Sequence, residues 1–126
     1  MNLEGLDHIA LAVRDVAASE QWYRDVLGLE RKHEGRWDDV PTFVGKGATG
    51  IALFPASAPR KASGETDPTG FLHFALRANR ENFERGQREL KEREIDFRFE
   101  DHGIAHSIYF RHPDGYKVEI TTYELS

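Results

Sequence analysis

His8, His73 and Glu119 are the residues of this chain whose types and settings point to metal chemistry. Each breaks a run in which apolar side chains alternate. Over residues 6–13, a period of two puts Ile9, Leu11 and Val13 on one strand face and His8, Ala10 and Ala12 on the other. Over 71–77 the same spacing sets Leu72, Phe74 and Leu76 against His73, Ala75 and Arg77, so the two histidines hold equivalent places 73 − 8 = 65 residues apart. In 116–122, Val118 and Ile120 oppose Lys117, Glu119 and Thr121. A buried carboxylate is costly unless a cation or hydrogen-bond donors meet it. Two imidazoles and a carboxylate answer that need with one divalent ion, Fe, Mn, Zn or Ni, and leave coordination positions open for a substrate's oxygens.

The elements that must carry these residues fall into two similar halves. After the first strand, Asp15 is a good helix N-cap, and Val16, Ser19, Trp22, Tyr23, Val26 and Leu27 follow at helical spacing until Gly28, which predicts a helix over 15–27. Extended stretches are expected near 29–37, 42–45 and 50–54. Residues 56–70, rich in Pro, Gly, Ala and Ser and without apolar period, read as a linker. The order then repeats: the His73 strand, an Asn79-capped helix to about Glu92 with Phe83 and Leu90 buried, and strands near Phe97, over 107–111 and over 116–122. The fold class is α+β, as two βαβββ modules, 4–55 and 71–124, of a single domain.

With 126 residues, 39% apolar and 31% charged, the chain can bury a core and has no run long enough to span a bilayer. Its net charge of −5, from 17 basic and 22 acidic side chains, disfavours nucleic acid and anionic lipid as partners. The N-terminus lacks the pattern of a signal peptide, which makes the cytoplasm the expected location. There are no cysteines, so a metal must be held by nitrogen and oxygen. The mixed charges of 88–94 read as a solvated helix face. Gly45-Lys46-Gly47 lacks the spacing of a phosphate-binding loop.

Four segments together resemble the vicinal oxygen chelate superfamily of glyoxalases, bleomycin-resistance proteins and extradiol dioxygenases. They are Leu6-Asp7-His8-Ile9-Ala10-Leu11-Ala12-Val13, Trp22-Tyr23-Arg24-Asp25-Val26-Leu27-Gly28-Leu29, Leu72-His73-Phe74-Ala75, and Ser107-Ile108-Tyr109-Phe110-Arg111-His112-Pro113-Asp114-Gly115-Tyr116-Lys117-Val118-Glu119-Ile120. The resemblance implies paired modules whose mixed sheets curl into a cup around a metal cavity, with His8, His73 and Glu119 as ligands. It also implies a homodimer, with the site completed within one chain or between two.

Within that resemblance, glyoxalase I enzymes take a fourth ligand from the last strand of module one, where this chain offers Ala52 or Phe54. Fosfomycin-modifying relatives carry a polar residue where Ala10 stands and an arginine-bearing tail after the position of Glu119. Extradiol dioxygenases match more closely, through His102, Ile108-Tyr109, Pro113-Asp114-Gly115 and Glu119, although His112 and Glu100 depart from their pattern. Strand parity groups Ser107, Tyr109 and Arg111 on one face. Tyr109 is then a candidate catalytic donor to a metal-bound oxygen, and His102 a candidate acid or base, or simply a loop residue. His106 reads as structural, and His33 and His112 as surface residues. The expected function is a metal-dependent enzyme whose small-molecule substrate chelates the ion through adjacent oxygens, with extradiol-type oxygenation favoured. A glyoxalase- or epimerase-like isomerase or lyase and a drug-sequestering protein are the alternatives.

Overall fold

The computed structural model describes residues 6–56, 71 and 73–126, together with Asn2 and Glu4. It divides into two compact units, Met1–Arg60 and Lys61–Ser126. The linker expected over 56–70 lies, from residue 57 onward, outside the described residues.

In module one, β1 (Ile9–Val13) leads into α1 (Val16–Leu27), followed by β2 (Glu30–Lys32), β3 (Thr42–Lys46) and β4 (Thr49–Pro55). The helix starts where the Asp15 carboxylate accepts from the Ala18 N–H at 3.0 Å. It stops at Gly28, whose φ of 68° lets its N–H turn back to the Arg24 carbonyl. The sheet order is β1-β4-β3-β2, with β1 parallel to β4 and the other pairs antiparallel. A parallel pair needs a crossover, and α1 with the β2–β3 hairpin supplies it. Leu11, Val13, Tyr23, Val44, Ile51 and Leu53 form the core.

Module two repeats this plan with β5 (Phe74–Arg77), α2 (Arg80–Glu92), β6 (Arg98–Asp101), β7 (His106–Arg111) and β8 (Lys117–Thr122), in the order β5-β8-β7-β6. Asn79 caps α2 by accepting from the Asn82 N–H at 2.9 Å. Phe83 and Leu90 are the buried residues of this helix, and Ile108, Phe110 and Val118 are buried on the sheet. Each module is thus a four-stranded mixed sheet with a helix, an α+β architecture. Among the described residues, no helix is long and apolar enough to cross a membrane.

Two expectations change. The extended stretch over 29–37 shortens to three residues, because His33 (φ 54°) and Gly35 (φ 81°) turn the chain into a 3-10 segment, Arg36–Asp39, in which Trp37, Asp38 and Asp39 also have positive φ. Propensity for an extended chain lost to this turn. His112 is not a surface residue: it is 2% exposed, and its Nδ1 accepts from the Asp114 N–H at 2.9 Å. The imidazole thereby satisfies a buried backbone donor in the turn between β7 and β8, a role its loop sequence did not reveal.

Candidate metal centre and active site

The register of module two assembles the polar face around Glu119. In β8, Glu119 stands opposite Tyr109 of β7 and beside Ala75 of β5. His73 lies immediately before β5 rather than within it, two residues from Ala75, and its Nε2 is 2.9 Å from Glu119 Oε1. The other carboxylate oxygen, Oε2, accepts from the Ser107 hydroxyl at 2.7 Å, and Ser107 also reaches Thr121 Oγ1 at 3.0 Å. Glu119 is 9% exposed and Ser107 is fully buried. A carboxylate removed from water is therefore fixed at one oxygen while the other faces an imidazole nitrogen. That geometry can hold a cation, since a divalent ion is bound by this kind of oxygen and nitrogen pair. Ser107 was not singled out from the sequence; its place on the Glu119 face, given by strand parity, is the signal that could have found it.

Tyr109 and His102 meet. The loop after β6 brings His102 Nε2 to 2.9 Å from the Tyr109 hydroxyl, and Glu100 Oε2 lies 3.6 Å from the same nitrogen. The His73 ring meets Tyr109 edge-on, with centroids 5.7 Å apart. Partial burial, followed by the negative charges of Glu119 and Glu100, raises the Tyr109 pKa above the ordinary 10.0. The phenol is thus kept as a proton donor. The sign gives a prediction: in metal-free protein, the absorbance change of Tyr109 ionisation, isolated by difference from Tyr109→Phe, comes at higher pH than free tyrosine. Glu119→Gln moves it back down by removing the nearest repulsive charge. An unchanged midpoint would show that the carboxylate does not act on the phenol.

His8 is positioned in module one, again one residue before its strand. Its Nδ1 lies 2.8 Å from the Asp7 carboxylate, a contact that turns Nε2 away from the acid. The Asp7 pKa is lowered, first by this hydrogen bond. Phe43 packs edge-on against the His8 ring with centroids 5.2 Å apart. Gly50 makes room for the chain at Asp7 and His8, since a Cβ there would come within 3.0 Å of the Asp7 carbonyl and 3.2 Å of His8 Cβ. Asp7→Asn tests His8 as a candidate ligand: if His8 holds an ion, losing the partner that orients its ring weakens metal binding about 10- to 100-fold. Titration against a chromophoric chelator would measure it.

The register also decides between the two candidates for a fourth ligand. Ala10, two residues after His8, pairs with Ala52, just as Ala75, two residues after His73, pairs with Glu119. Ala52 is therefore the counterpart of Glu119. Phe43, opposite Ala52, is likewise the counterpart of Tyr109. Module one sets His8 beside Ala52 and Phe43, with Lys32 opposite Phe43 on β2, whereas module two offers a histidine, an acid and a phenol. Within module two the structure joins His73, Glu119, Tyr109 and His102; His8 belongs to the other module. No group of three or more His, Asp or Glu side chains is gathered as a metal cage among the described residues. His106 has its Nδ1 2.9 Å from Arg80 Nη1, and its ring meets Phe99.

The Glyoxalase/Bleomycin resistance protein/Dioxygenase superfamily model matches residues 5–120, and the chain belongs to that superfamily. Among its relatives, the metallothiol transferase FosB of Staphylococcus epidermidis is 30% identical over 126 residues, covering 97% of this chain and 84% of its own. Among solved structures, a glyoxalase/dioxygenase from Nostoc punctiforme superposes with a TM-score of 0.76 at 27% identity, covering 96% of this chain and 92% of that one. The fosfomycin resistance protein FosX from Mesorhizobium loti shares the fold, with a TM-score of 0.70 at 22% identity over 98% and 96% of the two chains.

Proposed function

We propose that this chain is a metal-dependent enzyme in which His8, His73 and Glu119 hold one divalent ion and the substrate binds through adjacent oxygens. The observation that carries the reading is the approach of His73 Nε2 to the buried Glu119 carboxylate, whose second oxygen is already committed to Ser107. Such an ion supplies Lewis acidity toward the bound oxygens and stabilises charge that develops on them. The rest is the work of side chains. Ser107 holds the carboxylate in place. The Tyr109 phenol, kept protonated, donates to a substrate oxygen. His102 exchanges a proton with that phenol across 2.9 Å.

Thiol transfer, in which a C–S bond forms while a C–O bond at an electrophilic carbon of the chelated substrate breaks and the freed oxygen takes up the proton given up by the thiol, is the favoured reaction class. Its support is the 30% identity to a metallothiol transferase over nearly the whole chain. This displaces oxygenation from first place, and it outweighs both departures from the fosfomycin-modifying pattern, at Ala10 and in the arginine-bearing tail. Ring-cleaving oxygenation stays as the second reading, because His102 and Tyr109, two members of the motif that resembles the extradiol signature, lie 2.9 Å apart. Metal-loaded protein assayed with a phosphonate epoxide and a panel of thiols should consume thiol without consuming O₂. Oxygen uptake matched to catechol loss would reverse the order.

We also propose a homodimer located in the cytoplasm. Mixing His8→Ala with Glu119→Ala subunits tests whether the site is shared between chains, since only sharing lets the mixture recover metal sites that neither variant has alone.

A further inference from the structure

Four rings of module one pack against one another, two of them on backbone that is costly to hold. Phe43 of β3 meets His8 at 5.2 Å between centroids, His33 at 5.1 Å and Trp37 at 5.7 Å, and His33 meets Trp37 at 5.8 Å. His8 joins this cluster from just before β1, whereas His33 and Trp37 reach it from the chain between β2 and β3. There His33, Trp37, Asp38 and Asp39 all have φ between 53° and 58°. Non-glycine residues persist in that region only where surrounding contacts impose it. Trp37 is 56% exposed, so burial does not supply those contacts.

Arg31 supplies them from the far side of the sheet. It pairs with Val44, which is fully buried, while Lys32 pairs with Phe43. Arg31 therefore leaves β2 on the face opposite the rings, toward α1. Its guanidinium donates through Nη1 to Glu20 Oε1 of α1 at 3.1 Å and through Nη2 to Asp39 Oδ1 at 2.6 Å. The same Asp39 oxygen accepts from the Gly35 N–H at 3.1 Å, and the Asp39 carbonyl accepts from the Thr42 hydroxyl at 2.9 Å. Asp39 thus ties both ends of the loop, and Arg31 ties Asp39 to the helix. The Arg31 side chain is only 19% exposed, a setting in which a charge-assisted fork keeps its geometry.

We propose that Arg31 is a positioning residue for His8. By fixing Asp39 against α1 it seats His33 and Trp37 on Phe43, and Phe43 then limits the tilt of the imidazole that Asp7 holds at Nδ1. The consequence for chemistry rests on the proposed metal centre, whereas the seating of the rings does not.

Histidine-ring NMR of the metal-free full chain, with the six signals assigned by substitution, tests the seating. Arg31→Met keeps the aliphatic stem and leaves Glu20 its contact with Arg24. In this variant the His8 and His33 signals are expected to shift by more than their line width, while those of His106 and His112 in module two stay in place. Asp39→Ala, outside the α-helices and strands, should give the same pattern and decides the matter if Arg31→Met does not fold. Asp39→Asn should keep the wild-type shifts, since an amide oxygen still accepts from Arg31 and from the Gly35 N–H. Unmoved His8 and His33 signals in a folded Arg31→Met, or an Asp39→Asn spectrum like that of Asp39→Ala, would overturn the proposal.

Metal titration of the same variants reads the chemical consequence. Arg31→Met and Asp39→Ala should each weaken metal binding about tenfold, the lower end of the effect of losing an outer partner of a ligating histidine, and Asp39→Asn should not. Unchanged affinity in a variant whose His8 signal has moved would sink the positioning role. A wild-type chain that binds no metal, yet whose His8 signal responds to Arg31→Met, defeats the metal reading and supports the positioning of the ring.

Discussion

Glu119→Gln is expected to abolish metal retention while leaving the fold intact. The amide has the shape of the carboxylate and can still accept from Ser107 at Oε1 or its equivalent, so the buried hydrogen bond survives. What disappears is the negative charge that faces His73. A neutral amide is a poor partner for the proposed divalent ion. Metal content after dialysis, read by elemental analysis, should fall to roughly a hundredth or less of the wild-type occupancy at matched free metal, since loss of even an outer partner costs about 10- to 100-fold. The thermal midpoint of metal-free protein should move little. Full metal content in Glu119→Gln would remove the acid from the ligand set. His73→Ala should give the same loss of metal, and His8→Ala separately tests whether module one contributes.

The largest effect on stability is expected at Phe83. It is fully buried, and it is one of two buried residues on α2. Phe83→Ala should cost about 3–5 kcal/mol, the range for emptying a large aromatic site in a core. That is a large share of the roughly 5–15 kcal/mol that holds a domain together. The consequence extends to chemistry, because α2 covers the sheet whose other face carries Glu119 and Tyr109. Urea denaturation followed by far-UV circular dichroism gives the difference directly. Phe99, whose ring lies 6.4 Å from that of Phe83 but is 47% exposed, is the comparison: Phe99→Ala should stay within about 1 kcal/mol of wild type. Equal losses at both positions would mean that the core is not where burial places it.

Much of this architecture can be read in the chain, because its signals are local. Period-two alternation placed His8, His73 and Glu119 away from the packed face, and Asp15, Gly28 and Asn79 marked helix ends by hydrogen bonds within a few residues. The repeat made the two histidines equivalent. What was not legible depends on pairing across strands. No local pattern says that Tyr109 stands opposite Glu119, that Ser107 supports its second oxygen, or that the loop after β6 delivers His102 to the phenol. His112 illustrates the same limit. A histidine before Pro-Asp-Gly looks like turn chemistry, and only the folded turn shows that its ring satisfies a buried backbone N–H. The shortened β2 failed for a different reason: positive φ at non-glycine residues such as Trp37 and Asp38 is disfavoured on average, and sequence averages therefore predict extension there.

The pairing of Ala52 with Ala10 and Phe43 matches that of Glu119 with Ala75 and Tyr109 position for position. Two similar modules differ at matched addresses, one carrying an acid and a phenol and the other hydrocarbon. The first module is thus a ready site for engineering: Ala52→Glu with Phe43→Tyr would write the second module's side chains into it, at positions the backbone has already aligned.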